Sequence, residues 1–257
     1  MNWIQKFVNS TAFPITLVLL ISSLPKIAIA ESPVTLKSQK LQNWQISQNF
    51  IPPNRKAPQT TAGGATRGGD ECSLEGKKSL IALMPANKLG LTITERPTFY
   101  WFVQQMPLQT AQFSLLDDEG ILYKTTFKLP NQSGIIGFTL PAQAPSLKVD
   151  KQYYWYVAIA CDSEEPEQKI TVGGWVQRIQ PTPDLLRQLS KTNPKQLSQA
   201  YAKNGIWYEV LHTLAQQRLN NPSDRTVMAN WQALLESVGL KNLVSKPLVN
   251  IYNPQTK

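Results

Sequence analysis

Few residue types in this chain could do covalent or acid–base chemistry, and their spacing argues against it. The sequence holds one histidine, His212, and two cysteines, Cys72 and Cys161. A serine hydrolase triad would have to rest on His212, and no Gly-x-Ser-x-Gly turn occurs to present a nucleophile. On a helix His212 falls about 140° from Trp207, off the apolar stripe, so it reads as a solvated histidine. Carboxylates cluster at Asp117, Asp118 and Glu119 and again at Asp162, Glu164, Glu165 and Glu167. Paired carboxylates in a cleft can exchange protons, but the first cluster sits where a hairpin tip is expected. Calcium is the sharper reading of the second, yet Pro166 interrupts it and calcium-loop spacing is absent. Gly63, Gly64, Gly68 and Gly69 lack the Gly-Lys-Ser/Thr ending of a phosphate loop. No catalytic set, metal site or cofactor is expected, and the chain is read as a non-enzyme.

The two thiols depend on compartment. Lys6 precedes a short apolar run over 15–23, and Ala28 and Ala30 form the small-x-small pattern of a signal peptidase site. The run falls short of the roughly 20 residues that span a bilayer, so cleavage after Ala30 and export to the periplasm, cell surface or medium are expected, with no membrane span afterwards. An oxidising compartment favours a Cys72–Cys161 disulfide, which would stabilise by roughly 4–5 kcal/mol in the chain-entropy account. Loss of Lys6 and Lys26 lowers the net charge of +9 by two. Export argues against nucleic acid as partner, and the basic excess points to an envelope protein or a cell-surface polysaccharide.

Aromatic residues are the remaining chemical lead. "TFYWFV" and "YYWYV" carry more aromatic mass than one small core needs, and Trp175 and Trp207 add to it. Trp175, Arg178, Trp207 and Tyr208 are the candidate interaction surface, through ring stacking on sugars or a protein interface.

The elements that must position these residues fall into blocks. Residues 31–71 are rich in Pro, Gln, Asn, Thr and Gly and read as a disordered linker. Residues 72–180 hold eight short runs of β-branched and aromatic residues separated by turn signals. Their candidate strands are SLIALMP, LGLTITE, TFYWFVQ, AQFSLLD, ILYKTTFKL, GIIGFTL, QYYWYVAIAC and TVGGWVQRI. Count and spacing predict a β-sandwich. Residues 181–245 switch to helical periodicity in four segments, with Asn193 and Ser223 as candidate caps and Gly205 and Gly239 as stops. Residues 246–257 read as a tail. The fold class is therefore β plus α.

Three resemblances add to this reading. "LKVDKQY", with Leu147 six positions before Tyr153, resembles the turn into strand F of immunoglobulin and fibronectin type III domains. There the matching tyrosine hydroxyl bonds back to the chain, so an immunoglobulin- or fibronectin-like sandwich is implied. Cys72 lies before the first strand, which departs from the usual immunoglobulin pairing. Tyr201, Gly205, Trp207, Glu209 and Pro222 fall at the spacing of a tetratricopeptide repeat, which residues 191–224 resemble. Val210 and Gln217 stand where that repeat prefers alanine, and a solenoid needs about three repeats. The small helical domain is thus expected to cap the sandwich. Finally, "LGLTITERPTFYW", "LLDDEGILYKTTFKLP", "GIIGFTLP", "YYWYVAIACD", "GWVQRIQPTPDL", "YAKNGIWYEVLHTLAQQRLNNPSD" and "WQALLESVGL" resemble, in order, the cyanobacterial exported family catalogued as domain of unknown function 928. That resemblance implies an envelope or secreted protein and no activity or site residues.

The expected function is a non-catalytic interaction module of the cell envelope, acting at the junction of sandwich and helices. Carbohydrate or cell-wall binding is the alternative, and an enzyme of unrecognised class the second. An exposed aromatic row beside Arg or Lys would favour glycan. A deep pocket with converging polar side chains would favour chemistry.

Overall fold

The computed structural model describes residues 50–55, 57–58, 80–105, 110–160 and 169–252, all within one compact unit. Cys72, Cys161, the glycines at 63–69 and the acidic run at 162–167 lie outside the described residues, as do the signal and most of the linker.

Among the described residues, nine strands and four α-helices follow one another along the chain. The strands are β1 (Leu80–Ala82), β2 (Leu89–Thr92), β3 (Thr98–Val103), β4 (Thr110–Asp117), β5 (Gly120–Lys128), β6 (Gly134–Thr139), β7 (Gln152–Ala160), β8 (Lys169–Arg178) and β9 (Leu248–Tyr252). Between β8 and β9 come α1 (Pro183–Lys191), α2 (Leu197–Lys203), α3 (Trp207–Asn220) and α4 (Arg225–Ser237). The chain is thus β plus α, as expected, and each of the eight predicted runs overlaps one of β1 to β8.

The strands form a four-stranded sheet, β1-β3-β6-β9, and a five-stranded sheet, β2-β8-β7-β4-β5. Pairing is antiparallel except for β2 with β8 and β6 with β9. Aromatic side chains from both sheets meet in one core. Phe99 of β3 lies 5.2 Å from Phe113 of β4 and 5.1 Å from Trp155 of β7, centroid to centroid. Phe113 in turn stacks on Phe138 of β6 at 4.5 Å. Offset and edge contacts of this kind add to the area that each ring buries. In β7 alternate residues Tyr153, Trp155, Val157 and Ile159 face this core, while Tyr154 and Tyr156 on the other side are half-buried.

The helices belong to the same core. Pro183 at the first position and Thr182, whose side chain accepts from the Leu185 amide, start α1. Asp224 caps α4 by accepting from the Thr226 and Val227 amides, one residue beyond the expected Ser223. The α2–α3 turn needs a left-handed residue, supplied by Gly205 at φ 69°, and a Cβ there would also stand 2.8 Å from the Ile51 carbonyl. Helix α3 buries Trp207, Tyr208, Val210, Leu211, Leu214 and Ala215, so little of it is left to solvent. It lies along β2 and β3, and Gly90 of β2 leaves room for it. A Cβ at Gly90 would sit 2.6 Å from the Tyr208 ring.

Two segments depart from the sequence expectation. Phe50, placed in an unpacked linker, is buried edge-on against Trp207 at 4.9 Å, and the Ile51 amide donates to the Ala202 carbonyl at 3.3 Å. An apolar pair, Phe50 and Ile51, between a polar stretch and two prolines gave no periodicity to mark it. The tail at 246–257 likewise contains β9, which pairs along β6 from Ile135↔Leu248 to Phe138↔Tyr252. Val249 fills the space that Gly134 leaves open, where a Cβ would come within 2.0 Å of its Cγ2.

Candidate functional site

The four residues expected to form a surface do not share one. Trp207 and Tyr208 are fully buried: Trp207 Nε1 donates to the Leu83 carbonyl at 3.0 Å, and the Tyr208 hydroxyl accepts from Trp155 Nε1 at 2.8 Å. Both are therefore core residues, taken inward because α3 lies against the sheets. Trp175 and Arg178 lie three positions apart on β8, hence on opposite faces of the strand. Arg178 is spent internally, donating to the Leu147 carbonyl at 2.8 Å and pairing with Glu95 at 3.2 Å.

Trp175 instead joins a row on the outer face of the five-stranded sheet. Its ring lies 5.3 Å from Tyr154, and Tyr154 lies 6.3 Å from Tyr156. All three are half-buried, with rings held by a register in which Tyr154 opposes Trp175 and Tyr156 opposes Gly173. The same face carries the exposed Lys124 and Lys128 of β5 and Lys169 of β8. Continuing the alternation through β4, β5, β7 and β8 places no Asp or Glu outward among the described residues. The acidic hairpin end points elsewhere: Lys151 Nζ holds Asp117 at 2.7 Å and Asp118 at 2.9 Å.

A second concavity lies at the seam of α3 with the four-stranded sheet. It encloses about 480 Å³ and is lined by Glu209, His212, Tyr201, Arg96, Thr98 and Thr139 among others. Glu209 stands in the first turn of α3. Its Oε1 accepts from the Thr92 hydroxyl at 2.6 Å and from the Ile93 and Thr94 amides at 3.0 and 3.1 Å. Oε2 is buried and, among the described residues, has no hydrogen-bond partner. Burial pushes this carboxyl up to about 6, against the hydrogen bonds that pull it down.

His212, one turn along, is not the solvated residue expected. Its Nδ1 lies 2.8 Å from the Tyr100 hydroxyl, and burial holds its pKa below the ordinary value. Tyr100 is buried in β3, which pushes its hydroxyl far above the usual range. A phenol that keeps its proton donates it, so Nδ1 accepts and the neutral ring carries its proton on Nε2. Arg96 donates through Nη1 to the Ala144 carbonyl at 2.9 Å and through Nη2 to Ala142 at 3.3 Å. The hydroxyls of Thr98 and Thr139 pair at 2.9 Å. The sequence singled out Glu209 only through its place in the repeat-like spacing, and nothing distinguished Tyr100 within TFYWFV.

The family model described as Domain of Unknown Function (DUF928) matches residues 62–248, and the chain belongs to that family. No curated protein matches the chain.

Proposed function

We propose that this member of the DUF928 family is an exported, non-catalytic binding module of the cell envelope, and that the outer face of its five-stranded sheet holds an anionic polysaccharide. The observation that carries this reading is the row of Trp175, Tyr154 and Tyr156 on a face with Lys124, Lys128 and Lys169 and no outward acid among the described residues. Half-exposed rings offer apolar faces to the C–H side of a sugar. Ammonium groups around them attract carboxylate or sulfate substituents and make binding sensitive to salt. A sheet holds such rings at fixed spacing with little loss of entropy on binding.

The architecture is read here as an immunoglobulin-like sandwich. The order β2-β8-β7-β4-β5 against β1-β3-β6 supports it, as does the Tyr153 hydroxyl, which accepts from the Lys148 amide at 3.0 Å in the manner of a tyrosine corner. The α2–α3 hairpin, read as a single tetratricopeptide-like unit, spends its apolar faces on the sheets, which favours a cap over a partner groove.

Affinity electrophoresis through gels containing polygalacturonate, with neutral dextran gels as control, tests the binding. Polygalacturonate is expected to retard the protein. The Tyr156→Ala/Trp175→Ala variant, with unaltered circular dichroism, should lose at least tenfold in affinity. Equal retardation of variant and native protein would remove the aromatic row from the function.

A further inference from the structure

The seam cavity has a chemistry distinct from that of the sheet face. Its acid is half-buried, with Oε2 out of reach of bulk water and without a counter-charge: among the described residues no Lys or Arg forms an ion pair with Glu209. The one guanidinium on the wall, Arg96, has both terminal nitrogens directed to backbone carbonyls. Burial lowers the pKa of His212, whose Nδ1 accepts from the Tyr100 hydroxyl, so its neutral ring does not repel a cation. Tyr201 adds an aromatic ring to the wall, and the Thr98–Thr139 pair adds hydroxyl oxygens able to accept. A desolvated carboxylate with one oxygen unpaired is costly to keep. An ammonium supplies both the missing donor and the missing charge, and a neighbouring ring favours it further.

We propose that this cavity binds a small ligand through an ammonium group, with Glu209 as the counter-charge and Tyr201 as part of the wall. About 480 Å³ admits a compact diamine, an amino acid or an amino sugar. Glu209 also fastens the turn between β2 and β3 through Oε1, so occupancy would bear on how tightly that turn is tied to α3. The ionisable groups around the acid are His212 and Tyr208 on α3, Tyr201 on α2 and Arg96 on the β2–β3 connection. Burial lowers the pKa of His212 and raises those of both tyrosines, so these three are neutral at neutral pH.

Calorimetric titration of the native protein with 1,4-diaminobutane, beside the uncharged 1,4-butanediol, tests the assignment. At pH 7.5 the diamine should bind at least tenfold more tightly than the diol, and Glu209→Gln, which keeps the shape of the side chain, should abolish the difference. Binding should weaken as the pH falls below about 6. A measurement on the native protein guards against a variant that misfolds: the carboxyl carbon of Glu209, followed by NMR, should titrate at lower pH when the diamine is present. Equal affinity for diamine and diol, no binding of either, or an unmoved Glu209 titration would each overturn the proposal.

Discussion

The indole of Trp155 donates to the hydroxyl of Tyr208 at 2.8 Å, joining the middle of the five-stranded sheet to the first turn of α3 across 53 residues of sequence. The same hydroxyl lies 3.2 Å from the Trp175 carbonyl and 3.5 Å from Met84 Sδ. One phenol thus connects β7, β8 and the segment after β1 to the helical block. Tyr208→Phe leaves the buried Trp155 Nε1 without an acceptor, which should cost about 1–3 kcal/mol. Urea denaturation of the two proteins measures it, and an unchanged midpoint would show that the strut is replaced from elsewhere.

Glu209 and His212 should impose opposite slopes on stability against pH. Burial raises the Glu209 carboxyl from 4.5 to about 6, so the folded chain keeps a proton that the unfolded chain has released. Its contribution is fully present below 4.5 and is lost as the pH rises through about 6, on the order of 2 kcal/mol. His212 is lowered from 6.5 by burial, so its contribution is present above 6.5 and is lost as the pH falls through the lowered value. Between these limits the two offset one another. Glu209→Gln should remove the first slope and leave stability rising with pH. Denaturation at a series of pH values between 4 and 8 reads this directly, and a profile unchanged by the substitution would exclude Glu209 as its source.

Tyr153 shows how far local sequence carried the fold. The resemblance of LKVDKQY to the turn into strand F of immunoglobulin-like domains implied a hydroxyl bonded back to the chain, and the Lys148 amide does donate to Tyr153 at 3.0 Å. Strands β1 to β8 were legible because β-branched and aromatic runs alternate with turn residues. What escaped was long-range. Phe50 and the Leu248–Tyr252 strand are short apolar stretches whose role depends on a partner far away in sequence, Trp207 in one case and β6 in the other. The surface reading of Trp207 and Tyr208 failed for the same reason, since periodicity gives a helix an apolar face without saying what covers it. Glu209 and Tyr100 belong to a seam that exists only once α3 lies on β3. The outer aromatic row was half visible: alternation separated Tyr154 and Tyr156 from Trp155, but only the register of β7 with β8 brings Trp175 beside them.

Tyr153→Phe should then cost about 0.5–1.5 kcal/mol, the net worth of one hydrogen bond. The ring itself stays buried, so m-values should not change. A loss well above this range in urea denaturation would mean that the hydroxyl does more than hold the Lys148 amide.

Two unrelated changes should disturb the closing strand in the same way. Deleting residues 248–257 removes β9 and bares the edge of β6, an edge with unpaired backbone groups and a tendency to recruit other chains. Gly134→Val works from the opposite side, because its side chain would occupy the place of Val249 Cγ2, 2.0 Å from any Cβ at that position. Both variants should lower the thermal midpoint by several degrees, the shift that follows from about 1–2 kcal/mol in a domain of this size. Both should also expose the β6 amides to hydrogen exchange. Combined, they should be little worse than the deletion alone, since Val249 is then gone and only the Pro247 carbonyl, 2.8 Å from a Cβ at Gly134, still meets the valine. An additive effect would show that Gly134 is needed for a reason other than the seat of β9.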